Sequence, residues 1–138
     1  MTDLQTLFAY RLAEAEETLS DAHTMLESDV SARSIVNRTY YAMFYAVIAL
    51  LLARKIEHKT SKHSGVISIF DREIVHSGLM ARNYSRMLHR AFDVRQESDY
   101  REFVAITIEE AAESVQQAED FLAGVKALIV LTQSEETV

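Results

Sequence analysis

The sequence predicts an all-α protein, an up-and-down bundle of four to five helices, and three observations carry that prediction. The chain of 138 residues has no proline and only three glycines, Gly65, Gly78 and Gly124, so almost nothing in it interrupts a helix. Its apolar residues recur at steps of three and four over long windows, the period of one helix face. Finally, Thr39 to Ala53 is a run of fifteen uncharged residues between Arg38 and Arg54, three of them tyrosines. A helix of that kind must be buried almost all round. It is expected to be the central helix, with Arg38, Tyr40, Tyr41 and Tyr45 either partnered in the core or reaching a site at its edge.

The first helix is expected from about Leu4 to Glu27, capped by Thr2 or Asp3, because Leu4, Phe8, Leu12, Ala15, Leu19, Ala22 and Leu26 form one stripe. A short turn, Ser28 to Ser31, offers Asp29 or Ser31 as the cap of the second helix, which continues to about Lys55. Two long helices joined so closely must be antiparallel neighbours. Ile56 to Lys62 is polar and basic and reads as a loop. A shorter helix follows over His63 to Val75, stopped near Ser77-Gly78. The fourth helix is expected from Met80 to Val94, with Arg95 to Tyr100 as a boundary, since Ser98 and Asp99 compete with helix. Thr107-Ile-Glu-Glu110 is a capping box that opens the last helix, whose stripe is Ala111, Val115, Ala118, Phe121, Leu122, Val125 and Leu128/Ile129. Residues 1–132 therefore read as a single domain and 133–138 as a polar tail.

A chain of this length buries about two thirds of its unfolded surface and needs no staples. There is no cysteine, which excludes disulfides and thiolate chemistry and suits a reducing cytoplasm. The N-terminus is acidic where a secretory signal would be basic. The uncharged run falls short of the ~18 to 20 residues of a membrane span. The expectation is a soluble, cytoplasmic protein. The formal net charge of -7 hides a division: from Arg33 to Arg101 there are twelve Lys/Arg against six Asp/Glu, and elsewhere two against fifteen. Either acidic terminal helices solvate the outside of a basic hairpin, or the basic half faces an anion such as RNA or a nucleotide.

Enzyme signatures are sparse. A di-iron bundle needs carboxylates and Glu-x-x-His pairs from four helices; only Glu73-Ile-Val-His76 has that spacing, and the long apolar helix supplies no carboxylate. The five histidines form no His-x3-His pair, so no metal and no cofactor is expected. No glycine-rich phosphate loop and no Gly-x-Ser-x-Gly turn occurs. The tyrosine cluster is a possible base-stacking platform, though Tyr41, Phe44 and Tyr45 at helical spacing suit a core, with Tyr40 closer to the surface. Arg82, Arg86 and Arg90 recur at steps of four, either a solvated face paired with acids or a track for phosphates. His89 lies beside that stripe.

Arg38-Thr-Tyr-Tyr-Ala-Met-Phe44, Lys59-Thr60, His63-Ser-Gly-Val66, Arg95-x3-Asp99-Tyr100 and Ala118-Glu-Asp-Phe121-Leu122 together resemble the HEPN domains, in particular their small prokaryotic UPF0332 branch, from Ser31 to Ile129. The resemblance implies an up-and-down helical bundle that usually forms a homodimer and is often encoded beside a minimal nucleotidyltransferase as a toxin–antitoxin pair. Active members are metal-independent ribonucleases with an Arg-x(4 to 6)-His motif. Imidazole moves a proton, and guanidinium stabilises charge on the phosphate. Here the matching arginine is Arg95, but Tyr100 stands where histidine is expected. A phenol with a reference pKa of about 10 is a poor base at neutral pH. Arg82-x6-His89 satisfies the motif literally but lies earlier. If the tyrosine modified by some nucleotidyltransferase partners has a counterpart here, it is Tyr100.

The resulting expectation is a HEPN-type domain that binds RNA or nucleotide, the toxin-like component of such a pair, with Arg95, Asp99 and Tyr100 as the candidate reactive group. Arg38, Tyr40, His63, Arg82, Arg86, His89 and Arg90 are the candidate binding residues. Replacement of the motif histidine argues against ribonuclease activity. The alternative is a non-catalytic binding partner or a dimerising structural bundle.

Overall fold

The computed structural model describes residues 2–100 and 105–136, with the side chains of 97–100 outside that description. Five α-helices account for the fold: α1 (Asp3–Glu27), α2 (Ala32–Ala53), α3 (His63–Phe70), α4 (Arg82–Tyr100) and α5 (Ile108–Glu136), with a π-helical turn, Asp71–Val75, continuing α3. No strand occurs among the described residues. The long helices alternate in direction. Lys126 pairs with Glu16 and Glu119 with His23, each at 2.8 Å, so α5 runs antiparallel to α1. Tyr84 packs on Phe121 and Arg90 reaches Glu113, so α4 also opposes α5.

α2 is the centre because its sequence leaves it no polar face. Ile35, Val36, Tyr40, Met43, Val47, Leu50 and Leu51 are fully buried, and α1, α4 and α5 all pack against it. By length and apolarity this helix would also suffice to cross a membrane, contrary to the count of fifteen residues. What places it in a protein core is that 67% of its apolar window is buried inside the bundle.

Caps set the helix ends. Thr2 and Gln5 form a reciprocal capping box on α1, and Ser31 caps α2 by accepting from the Ser34 amide. At the other end of α2, the amides of Ile56 and Lys55 donate to the carbonyls of Leu51 and Leu52. This is a Schellman closure with Lys55 at φ 59°, where glycine is the usual residue. Lys55→Gly should raise unfolding stability by about 1 kcal/mol, since a side chain in the left-handed region costs about 1–2 kcal/mol. The lost Lys55–Glu136 pair is exposed and worth little. A denaturant melt showing lower stability for this variant would contradict the assignment.

Two expectations about helix ends change. The expected boundary at 95–100 is helix, because α4 runs unbroken to Tyr100. The helix-competing residues Ser98 and Asp99 are outweighed by an apolar stripe, Leu88, Ala91 and Phe92, that holds α4 on the core. At the C-terminus, Gln133–Glu136 continues α5. Arg54 donates to the Thr132 hydroxyl at 2.8 Å and lies 4.0 Å from Glu135, which ties this last turn to α2.

Candidate functional site

The edge of α2 carries the aromatic dipeptide Tyr40-Tyr41, and three elements converge on it. One turn further along α2 lies Phe44, and the loop after α2 returns the chain so that α3 begins with His63 against these rings. The loop passes close over α3: a Cβ on Gly65 would lie 2.6 Å from Thr60 Cγ2, so the absence of a side chain at Gly65 allows Thr60 to sit there. The Thr60 hydroxyl accepts from the Lys62 amide at 3.1 Å, and its carbonyl is 3.0 Å from His58 Nδ1. These contacts shape the segment that delivers His63.

The His63 ring is fixed on several sides. It stacks on Phe44 with centroids 4.0 Å apart and 17° between planes, meets Tyr41 edge-on at 5.7 Å, and its Nδ1 lies 2.8 Å from the Tyr40 hydroxyl. From α4, Arg95 places its guanidinium 5.4 Å from the Tyr40 ring centroid and 5.2 Å from that of Tyr41, within cation–π range of both. Phe92, one turn before Arg95, closes the cluster against Tyr40 at 5.8 Å. The arginine can reach α2 only because α4 remains helical past Val94. Leu88, Phe92 and Arg95 then share the inward side at steps of four and three.

Electrostatics follow from burial. Tyr40 is fully buried, and desolvation pushes its hydroxyl well above the ordinary phenol range, an effect that Arg95 only partly offsets. His63 is pulled below its usual value by burial and by the positive charge of Arg95. At neutral pH the site therefore combines one permanent cation, a neutral imidazole and an un-ionised phenol.

This gives a pH dependence with a defined sign. Among the described residues, the groups facing His63 are Tyr40 and Tyr41 from α2 and Arg95 from α4, with Lys62 next to it in the chain, and none of these carries a carboxylate. A folded-state pKa below the unfolded value means that the unfolded chain binds more protons. His63 should therefore lower stability as pH falls through about 6.5, with the loss levelling off below the folded value. Chemical denaturation of wild type and His63→Gln across this range should show the slope reduced in the variant, and an unchanged slope would contradict the assignment.

The remaining sequence-predicted residues do not join this site. Arg38 points to α1, 3.6 Å from Asp21. Arg82, Arg86 and Arg90 are exposed. At about 100° per residue, Arg86 lies on the side of α4 opposite Arg95, so the stripe and Arg95 do not form one track. Arg90 is 3.7 Å from Glu113, while Arg82 and Arg86 form no ion pair with any described residue. His89 is not free beside the stripe: its Nε2 lies 2.5 Å from Asp71 Oδ2, while Ser85 donates to Asp71 Oδ1 at 2.6 Å. Asp71 opens the π-helical turn, so this cluster joins that turn to α4. The side chains of Asp99 and Tyr100 lie outside the described residues.

The burial order of the tyrosines is the reverse of that expected. Tyr40 is the buried one, and Tyr41 and Tyr45 are half-buried. Tyr41 is therefore a site residue that sequence reasoning assigned to the core, while Phe44 is buried in the core as expected and also stacks on His63; the adjacent Tyr40-Tyr41 pair was the available signal. On a helix the two rings diverge by about 100°, so one faces inward while the other reaches the edge. A groove of about 770 Å³ beside the loop, lined by Leu4, Leu52, Ile56 and residues 57–59, includes neither Tyr40, His63 nor Arg95. No cluster of metal-ligating side chains is present among the described residues.

Comparison with known proteins places this arrangement in a family. The model of the HEPN domain matches residues 8–128. The chain belongs to the HEPN domain family. A UPF0332 protein of Thermotoga maritima is 37% identical over 129 residues, covering 94% of this chain and 96% of its own. A UPF0332 protein of Archaeoglobus fulgidus is 34% identical, covering 81% and 86%. A Methanocaldococcus jannaschii relative, 36% identical over 81% of each chain, carries the name "Putative toxin". The matched HEPN region includes α2, α3, α4 and all of the described residues that build the aromatic and arginine cluster.

Proposed function

We propose that this HEPN domain is the toxin-like component of a toxin–antitoxin pair, partnered by a minimal nucleotidyltransferase, and that it binds RNA or a nucleotide at the cluster of Arg95, Tyr41 and His63. The observation that carries this reading is the guanidinium of Arg95 resting on two tyrosine rings beside a neutral imidazole. A cation held on aromatic faces recognises a phosphate by charge, and a half-buried tyrosine next to it offers a base a stacking surface. The names of relatives support the toxin-like role. Homodimerisation and a cytoplasmic location are part of the same proposal.

Ribonuclease activity is the less favoured form of it. Cleavage needs a proton-transfer group, and the motif position five residues after Arg95 holds Tyr100. The purely structural alternative required the arginine stripe to be consumed by intrachain pairs, and only Arg90 has such a partner among the described residues.

Two measurements test the proposal. Co-expression with a minimal nucleotidyltransferase from the same genome should yield a complex that survives gel filtration. RNA incubated with purified protein in excess chelator should be bound and left intact. Absence of a complex together with absence of RNA or nucleotide binding would overturn the reading, and metal-independent cleavage abolished by Arg95→Ala would replace it with the enzyme form.

A further inference from the structure

The bond between Tyr40 and His63 decides what His63 can do. Tyr40 is fully buried, and His63 Nδ1 is the only polar side-chain partner of its hydroxyl among the described residues. Burial keeps the phenol un-ionised, so its proton stays on the oxygen, and a buried O–H that failed to donate would be left unsatisfied. The hydroxyl therefore donates to Nδ1, which must offer its lone pair. In a neutral imidazole the other nitrogen then carries the hydrogen.

The two ring nitrogens point in widely divergent directions. With Nδ1 turned into the core at Tyr40, Nε2–H is directed away from it, on a ring that is only partly buried. Phe44 stacks on the ring and Tyr41 touches its edge, so it is held in one orientation. Arg95 lies over the same tyrosines and is close enough to depress the charging of His63.

We infer that Tyr40 fixes His63 as an Nε2–H donor, and that His63 and Arg95 together form a two-donor clamp for a phosphate group of a nucleotide or RNA strand. This rests on the proposed nucleotide-binding reading and deepens it. Tyr40 is a positioning residue, because it acts only through His63. The same geometry removes His63 as a general base: the nitrogen that faces the ligand has no lone pair, and the nitrogen that has one is occupied by Tyr40. Among the described residues, the clamp holds phosphate without a group to take the 2′-hydroxyl proton.

The clamp makes predictions that a merely structural histidine does not. In protein labelled with nitrogen-15 at histidine, His63 should show Nε2 protonated and Nδ1 as an acceptor at neutral pH, and Tyr40→Phe should lose that fixed assignment. Adenosine 5′-monophosphate and a fluorescent oligoribonucleotide serve as probes. Both should bind wild type at neutral pH, and His63→Ala and Arg95→Ala should each weaken binding about tenfold, the scale of one hydrogen bond to a charged group. The Nδ1–H tautomer in wild type, or wild-type affinity in His63→Ala, would overturn the clamp while leaving the nucleotide-binding reading intact. Failure of both probes to bind wild type would overturn the two together.

Discussion

Replacing Tyr40 with alanine is expected to lower unfolding stability by about 3–5 kcal/mol, the range for removing a buried aromatic ring. Its ring is the common neighbour of Tyr41, Phe44, Phe92, His63 and Arg95. The loss would be a large share of the 5–15 kcal/mol typical of a domain. Tyr40→Phe separates the two contributions of the side chain. It keeps the ring and its cation–π contact and removes only the hydroxyl that partners His63. The expected cost is about 1–2 kcal/mol, because His63 Nδ1 loses its partner. Denaturant unfolding of the two variants checks this: equal losses would mean that the hydroxyl, and not the ring, carries the stability.

Gly124→Val is expected to destabilise by about 2–3 kcal/mol despite the poor helix propensity of the glycine it replaces. The ring of Tyr84 lies directly against the Gly124 backbone, and a Cβ there would meet ring atoms at 2.5 and 2.6 Å. Tyr84 is itself held edge-on against Phe121 at 6.1 Å, so it cannot swing aside without giving up that contact. The glycine is thus the place where α4 seats on α5. A double-mutant cycle with Tyr84→Ala gives the decisive comparison, since removal of the ring should relieve the clash and make the two changes strongly non-additive. Additive losses would show that the ring does not determine the cost.

The fold was legible in the sequence because its determinants are local. An uncharged run as long as Thr39 to Ala53 has no choice but the centre, the stripes of α1 and α5 have the 3.6 period, and Ser31 and Thr107 bear the side chains that cap helices. The end of α4 was not legible. Ser98 and Asp99 argue locally for a boundary, and the packing of Leu88 and Phe92 on α2 that holds α4 in place is a tertiary effect. The same reason governs the site. Arg95 and His63 were each identified as candidates, but 32 positions separate them in the chain, and no local pattern says that both rest on Tyr40 and Tyr41. The arginine stripe misled in the opposite way. Its spacing is regular, and the helix it lies on also carries Arg95, but helical rotation sends the two to different sides.

The central claim is that the functional surface is the Arg95 cluster and not the stripe, and binding of a labelled oligoribonucleotide at two salt concentrations tests it most directly. Wild type should bind with an affinity that falls as salt rises. Arg95→Ala should lose about tenfold while melting as a folded protein, and the double variant Arg82→Ala/Arg86→Ala should lose less than Arg95→Ala. Wild-type affinity in Arg95→Ala, with binding abolished by the double variant, would contradict the account and move the site to the outer face of α4.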